Sequence, residues 1–271
     1  MRPWALEYFV SFAERNGPKI DSLEALQWFP RLEAEFSNFG TALEWGLDHN
    51  VAAGLRLVGA LAAFWYRHGH TVDGINWTTE ALARAEQLPH LAGEAARQQT
   101  RIQANAWQAM ASLAYLNDNP AALRAAEMAS RLARELGDTS LLAINLAVAG
   151  MTRVQLGDPA GAHVAIEESL AIARRSGEKY SLGIALTLLA QYCSLVQHDF
   201  QAARAYEEEG LALLSSNPTS WGAINAFSAA ARNAMLRGDY PTARARFTES
   251  LPLFQQIGDA HRLTTIRITH G

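Results

Sequence analysis

AGMTRVQLGDPAGAHVAIEESL, residues 149–170, is the stretch whose reading decides the fold. An apolar run is interrupted at Leu156-Gly157-Asp158 and is followed by a second run with small residues at fixed sites. Glycine and aspartate after an alanine- and leucine-rich run read as a helix stop. Comparable interruptions stand at Leu116-Asn117-Asp118, Gln197-His198-Asp199 and Arg237-Gly238-Asp239, with the aspartates 40, 41 and 40 residues apart. A second stop falls between them at Gly137-Asp138, Gly177-Glu178, Asn217-Pro218 and Gly258-Asp259. Each period therefore predicts two helices of about 17 to 18 residues joined by tight turns.

Register tests the repeat. Four residues after each turn aspartate stand Ala122, Ala162, Ala203 and Ala243, and nine before it stand Ala109, Ala149, Ala190 and Ala230. Eleven after it come Ala129, Ser169, Gly210 and Ser250. Small residues at matching sites on paired helices are what close helix–helix approach demands, because a large side chain there would push the axes apart. Composition agrees. The 271 residues include 50 alanines, the strongest helix former, and only 9 prolines. An all-α superhelix of about twelve helices is the expected fold class.

Charge and cysteine content narrow the function. The net charge is −4, with 21 Arg and 2 Lys, so no basic excess is present to neutralise phosphates and direct nucleic-acid binding is disfavoured. A single cysteine, Cys193, rules out an internal disulfide and a multi-cysteine metal site. The longest apolar run, residues 182–196, falls short of the roughly 18 residues a membrane span needs. A cytoplasmic protein without membrane attachment is expected.

The Gly-Asp turn, the alanine four residues on and the small-Leu pair seven further on resemble the second half of a tetratricopeptide repeat. The period is longer than the usual value of about 34 residues, so the likeness is to long-helix relatives. It covers residues 98–259. An earlier pair over residues 51–67 and 72–87 fits the same register, with Ala81-Leu82 at the small-Leu site and a longer turn at residues 88–93. Upstream, RLEAEFSNFGTALEW (31–45), LRLVGALAAFW (55–65) and RHGHTVDG (67–74) form an acidic-aromatic helix with Asn38, an aromatic pair Phe64-Trp65 and a glycine turn. This block resembles the helical arrays of bacterial STAND-class regulators, in which an NB-ARC nucleotide module and a winged helix precede the array and a LuxR-type DNA-binding domain often lies elsewhere. The resemblance implies a segment at residues 1–50 that joins such a module, a first irregular helix pair at 51–92 and regular repeats over 93–271. It also implies an arm that receives an inducer or a partner protein and relays that event.

Catalytic parts are missing from the sequence itself. Neither Lys19 nor Lys179 stands in a glycine-rich phosphate loop. His68-Gly69-His70 reads as a helix-terminal turn, with no third ligand at usable spacing. Glu207-Glu208-Glu209 reads as a solvated outer face, and Cys193 as a small packing residue in an apolar helix. The chain is expected to be no enzyme and to carry no metal or cofactor.

One asymmetry bears on binding. The first-helix segments 102–117, 139–152, 180–198 and 218–231 hold no Asp, Glu, Lys or Arg, whereas the second helices are rich in Arg and Glu. A helix neutral all round is buried or lines a cavity. By analogy with the repeat family, concave positions lie 11, 7, 4 and 3 residues before the turn aspartate. The candidates carried across are Trp107, Tyr115, Met151, Gln155, Tyr192, Ser228 and Arg232, as aromatic walls and polar anchors of a groove or as packing between helices. The expected function is a non-enzymatic sensor or protein–protein interaction module of a multidomain signalling or transcriptional regulator. The alternatives are a small-molecule inducer site in that neutral groove and a free-standing peptide sensor. The last first-helix, after Gly258-Asp259, has only 12 residues and a β-branched run including Thr264, Thr265 and Ile266, so an uncapped end that frays or self-associates is expected.

Overall fold

The computed structural model describes residues 3–21, 24–89, 91–115, 117–217 and 220–257. Among them are thirteen α-helices and no strand, and the fold is all-α and of the tetratricopeptide-like helical-repeat type. The chain divides into two compact units, Met1–Gly137 and Asp138–Gly271. The end expected to fray or self-associate lies outside the described residues.

The first unit contains α1 (Pro3–Asn16), a 3₁₀ turn (Gly17–Asp21), α2 (Ala25–Ala34), α3 (Phe36–His49), α4 (Val51–His68), α5 (Thr71–Ala85), α6 (Gly93–Ala114) and α7 (Asn119–Leu136). Helix α4 is its hub and packs on α1, α3, α5 and α6. Leu55, Leu57, Val58, Leu61, Phe64 and Trp65 of α4 are all buried. Removing that much apolar and aromatic surface from water is the main favourable term here. Arg67, equally buried, donates from Nη1 to the Ile20 carbonyl and so ties the 3₁₀ turn to the end of α4. Helix α6 begins earlier than the charge-free segment 102–117 suggests. It runs back to Gly93 and carries Glu94, Arg97 and Arg101, so this first helix is neutral only over its second half. Glu94 in the first turn suits the helix dipole, and Arg97 donates to the Leu136 carbonyl at the end of α7.

The second unit contains α8 (Thr139–Gln155), α9 (Pro159–Ser176), α10 (Lys179–Tyr192) with a π-helical continuation (Cys193–Gln197), α11 (Phe200–Leu214), α12 (Trp221–Leu236) and α13 (Tyr240–Ile257). Pairs form between α8 and α9, α10 and α11, and α12 and α13, while α10 packs on both α8 and α12. The repeating alanines explain the closeness. Ala149, Ala162, Ala190, Ala203, Ala230 and Ala243 are all buried, as are Ser169 and Ser250. Ser169 Oγ donates to the Ala143 carbonyl at 2.7 Å, which satisfies a hydroxyl where a larger side chain has no room. A Cβ on Gly210 would stand 3.3 Å from both the Gly183 carbonyl oxygen and Leu186 Cβ.

The turn aspartates are N-caps of the second helices. Asp118, Asp158, Asp199 and Asp239 accept from the N–H groups of Ala121, Gly161, Ala202 and Thr242 at 3.1, 2.9, 2.9 and 3.2 Å. Each cap contributes about 1 kcal/mol. The 41-residue spacing has a local cause as well. In the regular turn the Asp158 N–H reaches the Arg153 carbonyl; in the longer one the Asp199 N–H reaches back to Cys193. The extra residue is absorbed as the π-turn, and His198 takes the left-handed cap at φ 55° where Gly157 and Gly238 stand in the neighbouring repeats.

One charge assignment is corrected by the packing. Glu208 and Glu209 are exposed, but Glu207 is buried and faces α12, where it accepts from Asn233 Nδ2 and lies 3.6 Å from Arg237 Nη1. Burial raises its carboxyl above the ordinary range, against the opposing pull of Asn233 and Arg237.

Candidate functional site

A cavity of about 320 Å³ opens in the first unit among the end of α5, residues Glu86, Leu88 and Leu91, and helices α6 and α7. Its α6 wall is a helical stripe, Ala96, Gln99, Thr100, Gln103 and Trp107, at spacings of three or four residues. Met128, Arg131 and Leu132 of α7 face it, and Leu88, Leu91 and Glu86 close the side formed by the connection. The longer turn is therefore a wall as well as a link. Trp107 is half-buried, which leaves part of the indole available to a ligand. Apolar walls with two amides, one guanidinium and one carboxylate suit an uncharged or zwitterionic segment, the mixture typical of recognition pockets.

The candidates chosen by repeat register separate into three environments. Trp107 lines this cavity, and Tyr115 is half-buried at the C-cap of α6. Met151, Tyr192 and Ser228 are buried at 2%, 5% and 6% exposure. The Tyr192 hydroxyl donates to the Pro159 carbonyl at 3.3 Å and its ring stacks on His163, while Ser228 Oγ donates to the Ile224 carbonyl. These three are packing residues of the second unit and lie behind its surface. Gln155 and Arg232 are exposed. The physical reason is the burial of the middles of α8, α10 and α12, whose solvent contact falls mainly toward their ends, at Thr139, Gln155, Tyr180, Met235 and Leu236. Neutral first helices here are core helices.

Cys193 is buried, and desolvation pushes its thiol up to about 11, so it stays protonated and unreactive at neutral pH.

A second cluster was not legible as a site. Glu33 of α2 meets the turn between α4 and α5: its Oε2 lies 3.0 Å from His68 Nδ1 and 2.9 Å from His70 Nε2. The sequence reading of residues 68–70 lacked this third group, which is 35 positions upstream of His68 and carries no motif of its own. Gly69 at φ 88° caps α4 in the left-handed region, and that bend turns His68 and His70 toward one carboxylate.

Comparisons with known proteins agree on the fold. A family model described as anaphase-promoting complex subunit 5 matches residues 95–150 and 143–195, less than half of the chain. No curated protein matches. Among solved structures, a Rap protein complexed with competence and sporulation factor is 12% identical, with a TM-score of 0.63 over 98% of this chain and 81% of that one. The apo form of RapI is 14% identical, with a TM-score of 0.57 over 92% of this chain and 98% of that one. A STAND protein with a tetratricopeptide-repeat sensor, PH0952 from Pyrococcus horikoshii, is 16% identical, with a TM-score of 0.53 over 88% of this chain and 40% of that one. At these identities the likeness is one of fold, and the fold it gives is the tetratricopeptide-like helical repeat.

Proposed function

We infer that the chain is a non-enzymatic recognition module, the sensor and partner-binding arm of a multidomain signalling or transcriptional regulator. The observation that carries this reading is the cavity at α5–α7, with Trp107 half-exposed beside Gln99, Gln103 and Arg131. A peptide or an extended segment of a partner protein fits its chemistry: indole and leucine surface for apolar side chains, amides for the backbone, and Arg131 and Glu86 for either sign of charge. The likenesses to a Rap protein bound to competence and sporulation factor and to a STAND protein with a repeat sensor support a receiving role. Tyr115 flanks that role in the first unit, and Gln155 and Arg232 offer exposed polar positions in the second. A small-molecule inducer is the second reading, favoured by the cavity volume of about 320 Å³.

The proposal includes a cytoplasmic location, no cofactor and no direct contact with nucleic acid. It also includes self-association through the C-terminal end. Among the described residues no helix is long and apolar enough to cross a membrane. Native mass spectrometry of the freshly isolated chain is the test. A retained peptide or protein is the expected result, a retained small molecule favours the second reading, and ATP hydrolysis or tight duplex-DNA binding by the purified chain contradicts both.

A further inference from the structure

We propose that Glu33, His68 and His70 form a binding site for a borderline divalent ion of the zinc class, which staples α2 to the turn between α4 and α5. Three observations on separate elements carry it. The donor atoms converge: Glu33 Oε2, His68 Nδ1 and His70 Nε2 all lie within 4.8 Å of one another. A tetrahedral ion with bonds of about 2.0–2.1 Å holds its donors roughly 3.3 Å apart, a separation that Glu33 Oε2 already approaches to each imidazole nitrogen at 3.0 and 2.9 Å.

The rings are also held. His68 stacks between Phe29 and Phe64, with centroids 5.2 and 5.6 Å away, and His70 stacks on Phe36 at 4.0 Å. Aromatic walls from three helices fix the planes of both imidazoles, and a preorganised donor set loses little freedom on binding. Finally, the far nitrogen of one ligand has a carboxylate beside it. His70 Nδ1 lies 3.9 Å from Asp73 Oδ2, from where the carboxylate can move into the hydrogen bond that commonly orients a metal-bound imidazole.

The donor chemistry selects the ion. Two imidazole nitrogens and one carboxylate oxygen suit zinc or another late first-row ion, with solvent completing the coordination. Calcium and magnesium prefer all-oxygen sites. His68 and Glu33 keep side-chain exposures of 33% and 41%, so the ion has a route in from solvent. Its effect is mechanical: α2 is otherwise a short helix at the edge of the first unit, and an ion would tie it to the hub helix α4.

The experiment uses the full chain, free of any histidine tag, stripped with EDTA and titrated with zinc chloride by calorimetry and thermal melting. One zinc per chain and a raised melting midpoint are expected, because the ion binds the folded state. His68→Ala, His70→Ala and Glu33→Gln should each weaken binding by more than tenfold. Asp73→Asn should weaken it about tenfold, magnesium should leave the midpoint unchanged, and His163→Ala on α9 should bind zinc as the parent chain does. Undiminished affinity in His68→Ala, or no zinc-dependent heat and no shift in the parent chain, overturns the proposal. Should a variant lose its helical signal, cobalt added to the parent chain decides the matter. A low-symmetry ligand-field spectrum supports the site, and the spectrum of aqueous cobalt overturns it.

Discussion

Two regions of the molecule reach the same helical fold by different means. Around α4 the packing is bulky, with Phe64, Trp65, Phe39 and Leu61 filling the interior. From α6 onward small residues recur where paired helices meet, among them Ala109, Ala122 and Ala129 in the first unit and Ala162, Ser169, Ala203 and Ser250 in the second. In the second unit the middles of the neutral helices α8, α10 and α12 are largely buried. The first unit holds the cavity, walled in part by Glu86, Leu88 and Leu91 between α5 and α6, and the Glu33–His68–His70 cluster. The cavity lies where the first regular repeat, α6 and α7, meets the irregular end of α5.

That contrast can be broken from either side. Phe64→Ala should have the largest effect, about 3–5 kcal/mol of stability in denaturant melts, because a fully buried aromatic ring leaves a void that the hub helix cannot close. Ala162→Leu should cost about 1–3 kcal/mol in the second unit, where bulk is the problem. If Ala162→Leu proves neutral, the small-residue account of the repeat is wrong. A cap comparison is finer: Asp158→Ala should cost about 1 kcal/mol. In the first unit the same substitution at His70 removes no cap, because the His70 side chain makes no capping hydrogen bond. Its cost in metal-free buffer should come instead from the lost stacking on Phe36 and the lost contact with Glu33, and His70→Phe, which keeps the ring, should recover part of it, as urea midpoints of the variants show.

The smallest expected effect is one of pH. Burial raises the Glu207 carboxyl in the folded chain, so between its unfolded and folded values the native state holds the extra proton. Stability from this group is therefore present at acid pH and falls as pH rises through the raised value. Glu207→Gln should flatten that slope in melts across the acid-to-neutral range and leave the neutral-pH stability equal to or above that of the parent chain. A steeper slope in the variant would contradict the sign.

Much of the fold was legible in the sequence because it is written locally. Turn aspartates cap their own helices three residues on, and Ala122, Ala162, Ala203 and Ala243 recur in one register. The π-turn at Cys193–Gln197 was visible only as a spacing of 41 among spacings of 40. What was not legible depends on distant approach. Glu33 reaches His68 and His70 only through the packing of α2 against α4, and Glu207 is buried only because α12 brings Asn233 and Arg237 to it. Of the two readings open for Met151, Tyr192 and Ser228, groove wall or packing between helices, their burial fits packing. Register alone does not say whether a neutral face meets solvent or the next helix, and in α8, α10 and α12 it meets the next helix.

The division of labour itself is tested most directly by native mass spectrometry of the chain isolated from its host, comparing the parent with Trp107→Ala and Tyr192→Phe, each checked for parental helical content. Recognition at the α5–α7 cavity requires the bound species to be kept by Tyr192→Phe and lost by Trp107→Ala. Retention by Trp107→Ala together with loss from Tyr192→Phe would place recognition on the neutral helices of the second unit and contradict the account.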